Sequence, residues 1–130
     1  MKTEVITVTP STPLVEFARI LAEDRISGAP VVRVDGVLVG IVSKTDLVER
    51  MLQDNPKYGT AQSDGPGWNE DWRQVDDIMS NEILTVAPST PLADVARRMA
   101  RDRVHRVVVI ENDKIVGIVT SLDLLERYRG

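Results

Sequence analysis

The chain says nearly the same thing twice. Met1-Lys-Thr-Glu-Val-Ile-Thr-Val8 aligns with Met79-Ser-Asn-Glu-Ile-Leu-Thr-Val86, and Pro10-Ser-Thr-Pro-Leu14 equals Pro88-Ser-Thr-Pro-Leu92 letter for letter. Ala18-Arg19 matches Ala96-Arg97, and Asp24-Arg25 matches Asp102-Arg103. The offset then slips by one residue, where Val34-Asp35-Gly36 faces Asn112-Asp113. Beyond the slip, Val39-Gly-Ile-Val42 matches Val116-Gly-Ile-Val119, and Asp46-Leu47 matches Asp123-Leu124. Self-similarity at this length implies one supersecondary unit used twice. The slip falls among turn residues, where a length change is tolerated.

Each copy reads as β-α-β-β-α. Thr7–Thr9 and Thr85–Ala87 are short strands stopped by Pro10 and Pro88. Thr12-Pro13 and Thr90-Pro91 are expected to open helices, Thr as N-cap and Pro as first helical residue. Leu14, Phe17, Ala18 and Leu21 recur at helical spacing, as do Leu92, Val95, Ala96 and Met99. Pro30–Val34 with Val37–Val42, and Val107–Glu111 with Lys114–Val119, are β-branched pairs separated by turns, hence hairpins. A last helix starts near Ser43 and near Thr120. The expected fold class is therefore α/β (α+β), two β-α-β-β-α repeats related by a pseudo-two-fold axis. The divisions are a first repeat over 1–52, a connecting loop over 53–74 and a second repeat over 75–130. The loop holds Tyr58, Trp68 and Trp72, aromatics that suggest a loop anchored onto the module, or a lid or partner-docking surface, rather than a solvated tether. Val75-Asp-Asp-Ile-Met79 leads into the second copy. The first copy lacks this lead-in, because Met1 aligns with Met79.

Composition excludes several functions. There are 16 Lys and Arg against 20 Asp and Glu, a net charge of −4, which disfavours nucleic acid and anionic membranes as partners. Cys is absent and His105 is the sole histidine, so thiol chemistry and a His-rich zinc site are excluded. No apolar run approaches the ~20 residues of a membrane span, and the start lacks a signal-peptide core. A cytoplasmic protein is expected. There is no phosphate-binding Gly-Lys loop, no dinucleotide fingerprint and no nucleophile elbow, so an enzyme is not expected.

Chemistry concentrates at Ser43-x-x-Asp46 and Thr120-x-x-Asp123. Each follows a strand and opens a helix. One reading is a capping box, the hydroxyl on an early N–H and the acid reaching back. The other uses the same geometry for a ligand: a helix N-terminus suits phosphate, and a carboxylate there accepts from both hydroxyls of a ribose. The two roles are compatible. Thr7, Val8, Ala29 and Pro30 would lie beside the Ser43 helix start, and Thr85, Val86, Val107 and Val108 beside Thr120, as an apolar slot that also belongs to the core. His105 and Arg106 replace Ser27 and Gly28 of the first copy, a change in size and charge. Arg97, Arg98, Arg101 and Arg103 make a further basic group, read as a solvated helix face near Asp94 and Asp102.

The motifs Asp77-Ile-Met79, Thr-Val-x-Pro-x-Thr-Pro-Leu in both copies, Ile26-Ser-Gly-Ala-Pro-Val-Val32, Val104-His-Arg-Val-Val-Val109 and the two Val-Gly-Ile-Val segments occur in order, twice. In this arrangement the chain resembles a tandem pair of cystathionine-beta-synthase (CBS) domains, a Bateman module. The resemblance covers all but the loop. It implies a regulatory module that binds AMP, ADP, ATP or S-adenosylmethionine in the cleft between the repeats, and dimerisation into a disc of four repeats. It implies that Asp46 and Asp123 hold ribose, that Ser43 and Thr120 lie near ribose or phosphate, and that His105-Arg106 contacts phosphate. No bound cofactor is expected beyond that ligand, and the partners are the adenine nucleotide, a second copy and a regulated protein. The alternative is a dimerisation scaffold with degenerate sites. The last helices carry Leu47, Val48, Met51 and Leu52, and Leu122, Leu124, Leu125 and Tyr128, which spread wider than one inward stripe needs and suit a homodimer.

Overall fold

The computed structural model describes residues 3–54 and 73–129, so the Tyr58, Trp68 and Trp72 loop lies outside the described residues. The chain forms two compact units, 7–81 and 1–6 with 82–130. Both are mixed α+β.

In the first unit, α1 (Leu14–Asp24) is followed by β1 (Gly28–Val32), β2 (Leu38–Ser43) and α2 (Lys44–Asp54). Leu14, Phe17 and Leu21 form one buried stripe of α1 at helical spacing, while Arg19 pairs outward with Glu16 and Glu23. β1 and β2 are antiparallel, with Gly28 opposite Ser43 and Ala29 opposite Val42. Val8 adds a single parallel bridge to Val31: its N–H donates to the Pro30 carbonyl, and the Val32 N–H donates to the Val8 carbonyl.

The second unit repeats the plan. β3 (Thr85–Val86) pairs in parallel with β4 (Arg106–Glu111), which pairs antiparallel with β5 (Lys114–Thr120); α3 (Leu92–Asp102) and α4 (Ser121–Arg129) complete it. Its core is Val86, Val95, Met99, Val107, Val109 and Val119. The one-residue slip is a change of turn. Gly36 has φ +90° in the first hairpin, whereas Asn112 and Asp113 have φ of 54° and 65°, two successive left-handed residues as a type I′ turn requires.

Two details differ from the sequence reading. The helices begin at Leu14 and Leu92, with Pro13 and Pro91 in the cap position and no side-chain cap. The Thr12 and Thr90 hydroxyls instead accept from the N–H of Thr9 (3.0 Å) and of Ala87 (3.2 Å), so each threonine closes the turn behind it. Proline explains the shift, since its fixed φ fits the extended cap conformation seen at both positions.

The lead-in Val75–Met79 packs on the first copy, although it is continuous in sequence with the second. Leu14 N–H donates to the Arg73 carbonyl, Val75 N–H to the Thr12 carbonyl and Asp76 N–H to the Pro10 carbonyl. This carries Val75, fully buried in a short 3-10 turn (Val75–Asp77), into the core with Leu14, Phe17 and Leu47. Farther on, Ile41 and Ser80 exchange backbone hydrogen bonds of 2.8 and 2.9 Å. That pairing explains Gly40, where a Cβ would meet the Ser80 carbonyl oxygen at 2.9 Å and Met79 Sδ at 2.8 Å.

Candidate functional site

Both Ser/Thr-x-x-Asp motifs sit at strand-to-helix junctions, and both close a capping box. Ser43 N–H donates to Asp46 Oδ2 (2.8 Å), and Asp46 N–H donates to Ser43 Oγ (3.1 Å). Thr120 N–H donates to Asp123 Oδ2 (2.9 Å), and Asp123 N–H donates to Thr120 Oγ1 (3.2 Å). The first N–H of each helix is also taken: Lys44 donates to the Ser27 carbonyl and Ser121 to the His105 carbonyl. The reciprocal box offsets the orphan donors of the first turn and fixes the carboxylate's direction. Each Asp is only half-buried and uses Oδ2, which leaves Oδ1 without a hydrogen bond to a described residue. The arrangement is a fixed, partly solvated acceptor at a helix start, the chemistry that a vicinal diol needs.

Strand alternation divides the other sequence-predicted residues. Successive side chains point to opposite sheet faces. In the first unit, Val8 and Ala29 are buried with Val31 and Val42 in the core under α1 and α2. Pro30, also buried, takes the opposite face, the one shared by the cross-strand pair Gly28 and Ser43. Thr7 precedes Val8 and is exposed. In the second unit, Val86 and Val107 are core residues under α3 and α4. Thr85 pairs in register with Val108, and Arg106 with Thr120, so these four share the other face. The sheet thus brings Thr85, Arg106, Val108 and Thr120 to one face, with Asp123 bonded to Thr120 at its edge, and places Val86 and Val107 on the other; Asp123 also lines a cavity with Val86, Val109, Val119 and Leu124. A strict period-2 reading of Val104–Val109 would have separated them in the sequence. His105 is exposed, and its carbonyl is held by the α4 start.

Arg97 is paired with Asp94 and Arg101 with Asp102 on the exposed face of α3. The Asp102 carboxylate raises the Arg101 guanidinium further above its ordinary range, by hydrogen bond first and by charge second. Among the described residues no cluster of His, Asp or Glu could hold a metal ion, and no helix is long and apolar enough to cross a membrane.

A duplicated strand-helix-hairpin-helix unit with a capped carboxylate at each second helix defines a tandem α+β module. The chain belongs to the CBS domain family, whose model matches residues 1–53 and 75–130. Among curated relatives, protein MJ1232 of Methanocaldococcus jannaschii is 34% identical over 128 residues, 98% of this chain and 37% of that protein. The chain therefore spans little more than a third of that relative. Among solved structures, the CBS domain pair of protein MJ0100, in complex with 5′-methylthioadenosine and S-adenosyl-L-methionine, superposes with a TM-score of 0.82 at 25% identity, covering 100% of this chain and 92% of that one. CBSX2 in complex with AMP gives 0.74 at 28% identity, covering 97% and 88%.

Proposed function

We propose that the chain is a non-catalytic regulatory module of the cytoplasm that binds an adenosine-containing ligand and reports its level to a regulated protein. The observation that carries this reading is Oδ1 of Asp46 and Asp123, which makes no hydrogen bond to a described residue at a capped helix start, in a family whose solved members include complexes with AMP and with S-adenosylmethionine. Ribose hydroxyls donate to that oxygen, and the base lies against Thr85 and Val108, or Thr7 and Pro30. The second copy is the better phosphate site. Arg106 is the in-register neighbour of Thr120, where the first copy has Gly28 opposite Ser43. A guanidinium offers phosphate a planar fork of donors that glycine lacks, and a protonated His105 adds charge beside it. AMP, ADP and ATP are the ligands this asymmetry favours there, and S-adenosylmethionine, with no phosphate, suits the first copy.

The scaffold reading rests on the same hydrogen bonds, because closed capping boxes are complete without any ligand. Thermal unfolding with AMP, ATP and S-adenosylmethionine separates the two. A ligand that binds only the folded state at ~100 times its Kd adds about 2.7 kcal/mol, a clear rise in Tm. No rise with any of the three supports the scaffold. Arg106→Ala then locates the phosphate: the sensor reading expects a larger affinity loss for AMP than for adenosine, and equal losses reject that assignment.

A further inference from the structure

The first helices of the two copies are alike in length and differ in charge at two aligned positions. Helices α1 and α3 each have 11 residues. Glu16 aligns with Asp94, Arg19 with Arg97 and Asp24 with Asp102, so these keep their sign. Ile20, however, stands where Arg98 does, and Glu23 where Arg101 does. Helix α1 thus carries three acids against one arginine, and α3 three arginines against two acids. The reversed pair is well exposed, the Glu23 side chain at 61% and the Arg101 side chain at 69%. Local ion pairs do not cancel the difference. On α1, Arg19 is one cation shared by Glu16 and Glu23. On α3, Arg97 takes Asp94 and Arg101 takes Asp102, and Arg98 stands between them with no ion pair to a described residue.

These charges border an apolar surface. Helix α1 packs beside α2, and α3 beside α4. Each charged helix therefore flanks an outward apolar pair, Val48 with Leu52 on α2 and Leu122 with Leu125 on α4. A second copy of the chain covers such pairs in one of two senses. Like against like sets the acids of α1 against the same acids, and the arginines of α3 against the same arginines. First copy against second copy sets acids against arginines, and a two-fold axis makes that contact twice. Opposed charge fixes the register of an interface more than it adds affinity, and like charge placed face to face excludes the wrong one.

We propose that two copies of this chain associate crosswise, the α1 face of each protomer against the α3 face of its partner, with Glu23 toward Arg98 and Arg101. No residue of the candidate ligand site is used, so the proposal stands or falls apart from nucleotide binding.

The dimer Kd of the whole chain, measured by sedimentation equilibrium, separates the two senses by sign. Glu23→Arg cancels the acidic excess of α1. In the crosswise dimer it removes an attraction at both symmetric contacts and should raise Kd roughly tenfold at low salt. In the like-against-like dimer it relieves repulsion between the two α1 helices and lowers Kd. Arg101→Glu should also raise Kd, and adding Glu23→Arg to it should recover part of that loss. High salt should bring the variants together. Thermal melts establish that each variant is folded. The sense is then read directly by pulsed EPR. The chain has no Cys, so Ala22→Cys and Ala100→Cys each place a single spin label, at equivalent exposed positions of α1 and α3. Mixing the two labelled proteins should give a distance shorter than either shows alone. A lower Kd for Glu23→Arg, the shortest distance within a singly labelled sample, or a chain that stays monomeric at tens of micromolar overturns the proposal.

Discussion

Asp123 caps its helix and, in the proposed function, also holds ribose, and Asp123→Asn separates the two roles. Asp123→Asn keeps an oxygen for the Thr120 N–H but removes the charge. Stability should fall by less than about 1 kcal/mol, because Asn at this third helical position still accepts from the Thr120 N–H and only the charge beside the helix N-terminus is lost. Nucleotide affinity should fall by about 1.5–3 kcal/mol, the range for a hydrogen bond to a charged group. Asp123→Ala should instead lose both, with about 1 kcal/mol of stability gone. Calorimetric titration and thermal melts on the two variants check this, and equal affinities for Asn and wild type would assign Asp123 to capping alone. A second residue-scale prediction concerns Arg25 and Arg103, which end α1 and α3 with φ of 55° and 57°. The Ile26 and Val104 N–H groups reach back to the Leu21 and Met99 carbonyls, so the left-handed residue is what turns the chain there. A side chain in that conformation costs about 1 kcal/mol or more, which glycine does not incur. Arg25→Gly should therefore raise Tm by roughly 3–5 °C in a thermal melt.

The elements themselves were largely legible, because each carries its own periodicity and its own punctuation. The stripe Leu14, Phe17, Leu21 and the turn Asn112-Asp113 need only local information. What escaped was non-local. Nothing in Val75-Asp-Asp-Ile-Met79 announces that it belongs to the copy before it rather than the copy after it. Its apolar spacing signals only that one face is buried. Gly40 likewise reads as a strand glycine until Ser80 is known to pair beside it, and the even-odd division of the candidate site appears only once the register is fixed. These contacts make the lead-in a structural part of the first unit. Val75→Ala, which removes two buried methyl groups and leaves a void, should cost about 2–3 kcal/mol. Gly40→Ala should cost about 1–3 kcal/mol, since the new methyl meets a backbone oxygen that the Ile41–Ser80 pair holds in place. Denaturant melts read both. A Gly40→Ala protein of unchanged midpoint would show that Ser80 is free to move away.

For the molecule as a whole, apolar side chains remain exposed on the two terminal helices. Val48 and Leu52 of α2 are 48% and 54% exposed, and Leu122 and Leu125 of α4 are 61% and 62% exposed, whereas Leu47 of α2 is buried. Each helix thus spends one stripe on its own core and keeps a second for something else. Single exposed leucines are ordinary, but the second helix of each copy carries an outward apolar pair, with Val48 and Leu125 at equivalent positions, and such outward pairs suit self-association. The expectation is a homodimer joined through these helices, with an interface near the ~800 Å² per partner that a stable association needs. Sedimentation at tens of micromolar should show the dimer. Leu122→Glu with Leu125→Glu should return it to monomer, because four buried carboxylates would meet across a two-fold axis without partners. If AMP raises the Tm of the dimer, as the proposed function expects, that rise should survive in the monomer when each ligand is held within one chain, and its loss would make the second copy part of the binding site. Dimer formation that is indifferent to both substitutions would place the interface elsewhere.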